Sequence, residues 1–195
     1  MGKEWRMRTV WPRLTTGLAA GLAAGLLLSG CGGDSPEPKP LPKDSKSSPS
    51  ASPSATPPEM PVGAKKKTKA GAEAFVEHYV RSVNYAGASG QTSGLQALSL
   101  NTCVKCKALV DGIDKVYTNG GRIVGGGWTV VRVKHHGFDR DHYFLDAIID
   151  SSPQQMITSK GASPQGFPGA RNRLRAFVLK PVANGWKVSE LDPSA

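Results

Sequence analysis

The hydrophobic period changes once along residues 70–195, and that single change limits the folds open to the chain. Ala72, Phe75, Val76, Tyr79, Val80 and Val83 recur at helical offsets, one apolar stripe over about four turns. Glu73 and Glu77 sit in its early turns, where the helix dipole favours acids, and the helix is expected to end near Gly87–Gly90. A short helical piece is expected around Ser93–Ser99. Cys106, Leu109, Val110, Ile113, Val116 and Tyr117 then repeat the spacing, with Asn101 or Thr102 as the expected cap and Asn119-Gly120-Gly121 as the stop. After Gly125-Gly126-Gly127 the period becomes two. Trp128–Lys134 reads as a strand, His135–Asp141 as polar and turn-like, and His142–Asp150 as the partner strand. Gln154–Ser159 reads as its continuation past Pro153, and Lys160–Gly169 as a Gly/Pro loop. Arg171–Lys180 and Trp186–Leu191 flank Asn184-Gly185, a hairpin signal. Helices followed by an antiparallel meander give an α+β fold, with N-terminal helices packed on a bent antiparallel sheet.

That domain, residues 70–195, has a common single-domain size and enough chain to bury a core without metal. The segment before it has a different character. Nine of the 15 prolines lie between Gly32 and Lys69, with seven serines and almost no large apolar side chain except Leu41, Met60 and Val62. Such a composition cannot offset its ordering entropy, so residues 31–69 are expected to form a disordered tether. Lys65, Lys66, Lys67 and Lys69 close it. They read either as a solvated run at a domain edge, the favoured reading, or as an attraction to anionic lipid or cell-wall polymer.

Residues 1–30 read as a signal peptide. Lys3, Arg6, Arg8 and Arg13 outnumber the acid Glu4, and an apolar stretch runs from Leu14 to Leu28. That stretch is shorter than the roughly 20 residues a spanning helix needs. It ends in Leu28-Ser29-Gly30-Cys31, which looks like the lipobox of a bacterial lipoprotein. The resemblance implies cleavage before Cys31 and lipid on its sulfur. The expected location is the outer, extracytoplasmic face of the cell membrane, and two or more acyl chains make such anchoring stable.

The formal net charge of +10 is spread along the chain. Residues 70–195 hold fourteen bases and ten acids, so the folded part is mildly basic and carries no footprint for nucleic acid.

Few residues offer chemistry. With Cys31 taken by lipid, Cys103 and Cys106 remain as a pair in an exported setting that permits a disulfide. One reading is a small staple at a helix start. The other is a thiol-disulfide oxidoreductase site, in which the helix N-terminus would stabilise a thiolate. The staple is favoured because the pair does not follow a strand in a βαβ unit. His135, His136, Asp139, Asp141 and His142 cluster within eight positions, but adjacent strand residues point to opposite faces, so a solvated hairpin is preferred to a metal site. Arg171, Arg173 and Arg175 are expected on one strand face, with Arg132 and Lys134 on a neighbour, as a candidate anion surface. A plain solvent face is the competing reading. Asp146 and Asp150 lie four apart on one strand face and are placed in water; the alternative, a general base of an isomerase or hydrolase facing a cavity, is what resemblance to enzymes of the cone-shaped nuclear-transport-factor-2-like fold implies. In the water-facing reading, Tyr143, Leu145, Ala147 and Ile149 face the core.

The element order resembles the cone-shaped nuclear-transport-factor-2-like (cystatin-like) fold. A closer resemblance is local. Gly71…Ala74-Phe75-Val76, Asn84-Tyr85-Ala86, Cys103-Val104-Lys105-Cys106, Tyr117…Gly120-Gly121 and Gly125 resemble the pattern of an actinobacterial lipoprotein family known as domain of unknown function 6318. Gly90-Gln91 stands where that pattern has Gly-Asp. The resemblance implies a cell-surface lipoprotein and assigns no activity. The sequence therefore leads to a membrane-tethered, non-enzymatic binding module with no cofactor and no catalytic set. Its expected partners are an envelope protein, a cell-wall polymer or a small apolar ligand.

Overall fold

The structure, a computed structural model, describes residues 56–193. The signal segment with Leu28, Ser29, Gly30 and Cys31, and the tether up to Ala55, lie outside the described residues. Among the described residues no helix is long and apolar enough to cross a membrane.

Three helices come first: α1 (Lys69–Ser89), α2 (Ser93–Ala97) and α3 (Val104–Thr118). Thr68 caps α1 by accepting from the Gly71 amide at 3.1 Å, and Gly90 ends it with φ 74°. Gly90 is required twice over. It takes the left-handed conformation that L side chains resist, and a Cβ there would strike the Tyr117 ring. The cap of α3 is Cys103, whose Sγ accepts from the Cys106 amide at 3.3 Å. This corrects the expectation of Asn101 or Thr102: sulfur held by the neighbouring cysteine already occupies the capping place.

Seven strands follow in two antiparallel sheets. The small sheet has the order β1 (Arg122–Gly125), β4 (Gln154–Ile157), β5 (Gln165–Phe167). The large sheet has the order β2 (Trp128–Asp139), β3 (His142–Ser151), β6 (Ala170–Val182), β7 (Gly185–Pro193). The α+β reading holds, with two sheets in place of one. Gly125, Gly126 and Gly127 all have positive φ, which lets the chain leave β1 and enter β2 in a different sheet. The expected turn over His135–Asp141 is mostly strand. β2 runs to Asp139 because irregularities at Val130/Arg132 and His135/Gly137 absorb two misfit residues, and the turn shrinks to Arg140-Asp141. The segment Gln154–Ile157 does not extend β3 but joins β1.

Register assigns the faces of the large sheet. Leu145, Ala147 and Ile149 of β3, Phe177 and Leu179 of β6, and Val188 and Leu191 of β7 are buried beneath the helices. α1 lies in the middle of this core through Phe75, Val76, Tyr79, Val80 and Val83, and Tyr79 meets Phe177 edge to face at 5.8 Å. Each fully buried side chain of this size contributes about 1.5–3 kcal/mol. The opposite face carries Phe144, Asp146, Ile148 and Asp150.

The ordered body begins before Ala70. A 3₁₀ turn, Val62–Lys65, buries Ala64, Met60 packs on the core, and the Trp186 Nε1–H donates to the Lys66 carbonyl at 3.0 Å. Gly71 has no room for a Cβ against that same carbonyl. Residues 60–69 thus pack on the domain, although their composition reads as tether. They are fixed by backbone contacts, which composition does not show.

The large sheet therefore has two unlike ends. The chain enters at the end bearing the Arg140-Asp141 and Ala183-Asn184 turns, where Gly185 rests on Lys65. The other end holds Trp128, Ser151 and Ala170, which are register neighbours. The 12-residue β2 separates the two by about 40 Å.

Candidate functional site

Asn84 of α1 fixes the far end of the sheet. Its Nδ2–H donates to the Trp128 carbonyl at 2.8 Å, and the Trp128 amide donates back to its Oδ1 at 2.7 Å. A polar side chain near the end of α1 thus clasps the first residue of β2. Trp128 is held at the rim of the core, where its indole walls a hollow of about 170 Å³ shared with Val83, Gly87, Leu109, Ile113 and Ile123. A second hollow of about 400 Å³ adjoins it and shares Leu109, Ile113 and Ile123. The far end is therefore an apolar recess between α1, α3 and the small sheet.

Arg175 lies over the same indole, its guanidinium carbon 5.5 Å from the ring centroid. It stands opposite Ala147, and Arg173 opposite Ile149, so both arginines are on the helix-bearing face. Burial pushes the Arg175 guanidinium below its ordinary value, and the neighbouring Arg173 charge pushes in the same direction. No carboxylate among the described residues pairs with either arginine. A partly desolvated guanidinium over an indole, with the exposed Arg173 beside it and no acid between them, favours an incoming anion.

Arg171 does not join them, which corrects the expectation of three arginines on one face. Asn172 adopts φ 53°, the pairing of β3 with β6 slips between Ile149 and Ser151, and Arg171 is turned to the outer face. There its Nη1–H donates to Asp150 Oδ2 at 2.9 Å, and the Asn172 amide donates to Oδ1 at 2.8 Å. The Asn172 amide first, and Arg171 after it, hold the Asp150 carboxyl below the usual range. Arg132 and Lys134 also lie on the outer face, opposite Ile148 and Asp146.

The other sequence candidates separate in space. Asp146 meets His136 Nε2 at 2.6 Å on the outer face, away from the core side where Leu145, Ala147 and Ile149 are buried. Neither Asp146 nor Asp150 lies on the helix-bearing face, so neither is inside the cone as the general-base reading requires; Asp150 borders a hollow on the outer side with Thr129, Ser151 and Arg171. The histidine cluster does not converge. His135 packs on Tyr143 on the inner face, His136 pairs with Asp146 on the outer, and Asp141 bridges His142 at 3.0 Å and Lys180 at 2.8 Å. The Lys180 hydrogen bond holds the Asp141 carboxyl below its ordinary value.

Cys103 and Cys106 are joined by a disulfide. Both are buried, at 1% and 2% exposure, although a hollow of about 240 Å³ between α2 and α3 reaches Cys106. The arrangement suits a staple of the α3 start. Thiol exchange needs a sulfur open to attack, and neither sulfur is presented that way.

The sequence places Trp128 at the start of a strand and names Asn84 only within the family pattern. The available signal was Asn84 itself, an amide side chain one position after the apolar stripe that ends at Val83. Part of the local family pattern meets at the end of α1. Tyr85 donates to Gln91 Oε1 at 2.7 Å, and Tyr117 donates to the Gly87 carbonyl at 2.7 Å while its ring lies against Gly90. Gln91 thus supplies the acceptor at the position where the pattern has Asp.

No curated protein matches the chain. Among solved structures, the intermembrane-space region of the chloroplast protein ARC6 is similar at 12% identity and a TM-score of 0.48, covering 67% of this chain and 98% of that one. A putative aromatic ring hydroxylase from Novosphingobium aromaticivorans is similar at 10% identity and a TM-score of 0.43, covering 62% and 87%. A putative calcium/calmodulin-dependent protein kinase II association domain from Xanthomonas campestris is similar at 15% identity and a TM-score of 0.39, covering 67% and 93%. The profile of one family, a family of unknown function designated DUF6318, matches residues 46–192. That match takes in the whole described body except its final residue, and the chain belongs to this family.

Proposed function

We propose that the protein is an extracytoplasmic module held to the outer face of the cell membrane by lipid on Cys31, and that it acts by binding rather than by catalysis. The observation that carries the binding part is Arg175 over the Trp128 ring, with Arg173 two residues away on the same strand face and an apolar recess that Trp128 also lines. A cation fixed on an aromatic plate recognises a carboxylate or phosphate group, and the recess accepts a small apolar portion of the same ligand. Envelope components of that description include an anionic cell-wall polymer, an acidic segment of an envelope protein and a small amphipathic anion. The tethering part is supported by the basic start, the short apolar stretch and the position of Cys31.

Titration of the purified protein against cell-wall fragments and envelope extracts tests the binding reading. Arg175→Ala should lower affinity at least ten-fold, the scale of a charged hydrogen-bonded contact, without lowering the melting temperature by more than a few degrees. Absence of any retained ligand in either extract would count against the reading. Mass spectrometry of the native product tests the tether. Residues upstream of Cys31 still attached, with no acyl mass, would remove it.

A further inference from the structure

We propose that the chain-entry end of the domain is a docking surface for an anionic phospholipid bilayer. Four lysines gather there from one short stretch, Lys65, Lys66, Lys67 and Lys69, all exposed, and none pairs with a carboxylate among the described residues. They are not a loose run. The Trp186 indole donates to the Lys66 carbonyl, and Gly185 lies on the Lys65 backbone, so the stretch is fixed against the β6–β7 hairpin. That hairpin adds Lys187, the register neighbour of Lys180, at the same end.

Two large apolar side chains stand out from this basic end. Val62 is 78% exposed in the 3₁₀ turn. Phe138 is 58% exposed and packs at a tilt against Tyr143 at 4.8 Å, while Tyr143 in turn meets Trp186 edge to face at 4.6 Å. A ladder of three aromatic rings thus runs from the Lys66 carbonyl to an exposed phenyl group. Cations surrounding protruding apolar groups match a headgroup layer over acyl chains, where basic residues meet anionic headgroups and apolar groups enter the boundary region.

The nearness of the lysine run to Cys31 in the sequence favours the bilayer over other anionic partners. The first described stretch passes from Glu59, beside His78 of α1, through the 3₁₀ turn directly into that run. This step rests on the tether proposed above. About 25 residues separate Cys31 from Thr56, which bounds the reach to the bilayer at roughly 80–90 Å. A patch at the end of so short a leash meets the surface at an effective concentration in the millimolar range, so each contact can be weak. Each lysine adds roughly five-fold to partition onto an anionic surface. Docking turns the recess with Arg173, Arg175 and Trp128 outward, since it sits at the opposite end of the sheet.

The test uses the full-length protein as purified from cells, reconstituted with vesicles of phosphatidylglycerol or of phosphatidylcholine. Brief treatment with an amine-reactive reagent and mass spectrometry then give the labelling of each lysine and the acyl mass on Cys31 together. The expected result is several-fold protection of Lys65, Lys66, Lys67, Lys69 and Lys187 with phosphatidylglycerol, lost in about 1 M salt where the Debye length is ~3 Å. Lys107, paired with Asp111 on α3, serves as the unchanged internal reference. Lys66→Gln should weaken the remaining protection about five-fold. Equal labelling in the two vesicle types overturns the proposal. Protection that appears only when an anionic cell-wall polymer is added to phosphatidylcholine vesicles overturns it as well. Protection on a chain without acyl mass supports docking and removes the tether, whereas acylated Cys31 without protection does the reverse.

Discussion

The two ends of the large sheet are both basic, yet they use their charge in different ways. At the chain-entry end, Lys65, Lys66, Lys67 and Lys69 are exposed point charges on flexible stems, free of stacking partners. At the far end, Arg175 is half-buried on Trp128 and Arg173 is its neighbour. Hydrated ammonium groups create a diffuse field that suits a broad anionic surface. A desolvated guanidinium on an aromatic plate offers direction and geometry, which suit one anionic group at a time. The sign of the charge is the same, and the degree of solvation decides the kind of partner.

Substitutions and conditions that act on one end alone sharpen this contrast. The largest effect is expected at the entry end. Trp186→Ala removes a buried ring, its contact with Tyr143 and the bond to Lys66, and should cost about 3–5 kcal/mol in urea unfolding. Asn84→Ala acts at the far end. It leaves the Trp128 amide and carbonyl unpaired, should cost about 2 kcal/mol, and should weaken anion binding while lysine labelling at the entry end stays the same. The double change Cys103→Ala with Cys106→Ala touches neither end. Closure of so small a loop contributes about 2 kcal/mol or less, so thermal melting should fall modestly with both binding behaviours intact.

The smallest effect is a difference in salt response between two carboxyls. Asp141 at the entry end and Asp150 at the far end both titrate below the ordinary value. Because both folded pKa values are depressed, each favours the native state above the unfolded carboxylate pKa, and that contribution disappears as pH falls through the folded value. The leading cause for Asp141 is Lys180, a screened ion pair. For Asp150 it is the Asn172 backbone amide. Side-chain NMR titration should therefore show added salt moving the Asp141 midpoint upward more than that of Asp150. Equal movement would mean that the two ends do not differ in the way described.

Much of this fold is legible in the sequence because long amphipathic periods carry it. The stripe from Ala72 to Val83 places α1, and the alternation of Tyr143, Leu145, Ala147 and Ile149 gives the buried face of β3 correctly. What escapes is governed by single backbone choices. Arg122–Gly125 is too short and too closely flanked by glycine to show a period, yet it forms β1 once Gln154–Ile157 is beside it. His135–Asp139 looks like a turn because it is polar, and it stays in the sheet because a bulge ejects His136. Asn172 is one left-handed residue, and it separates Arg171 from Arg173 and Arg175. The same limit applies to the candidate site. The arginines are visible from their spacing, whereas the plate beneath Arg175 depends on Asn84, 44 residues from Trp128 in sequence.

The bond between Trp186 and Lys66 joins positions 120 residues apart. The first packed stretch of the chain is thereby latched to the last hairpin. Fraying of the N-terminal stretch is coupled to the last hairpin, because Lys66 cannot come away without also leaving the Trp186 indole N–H without its acceptor.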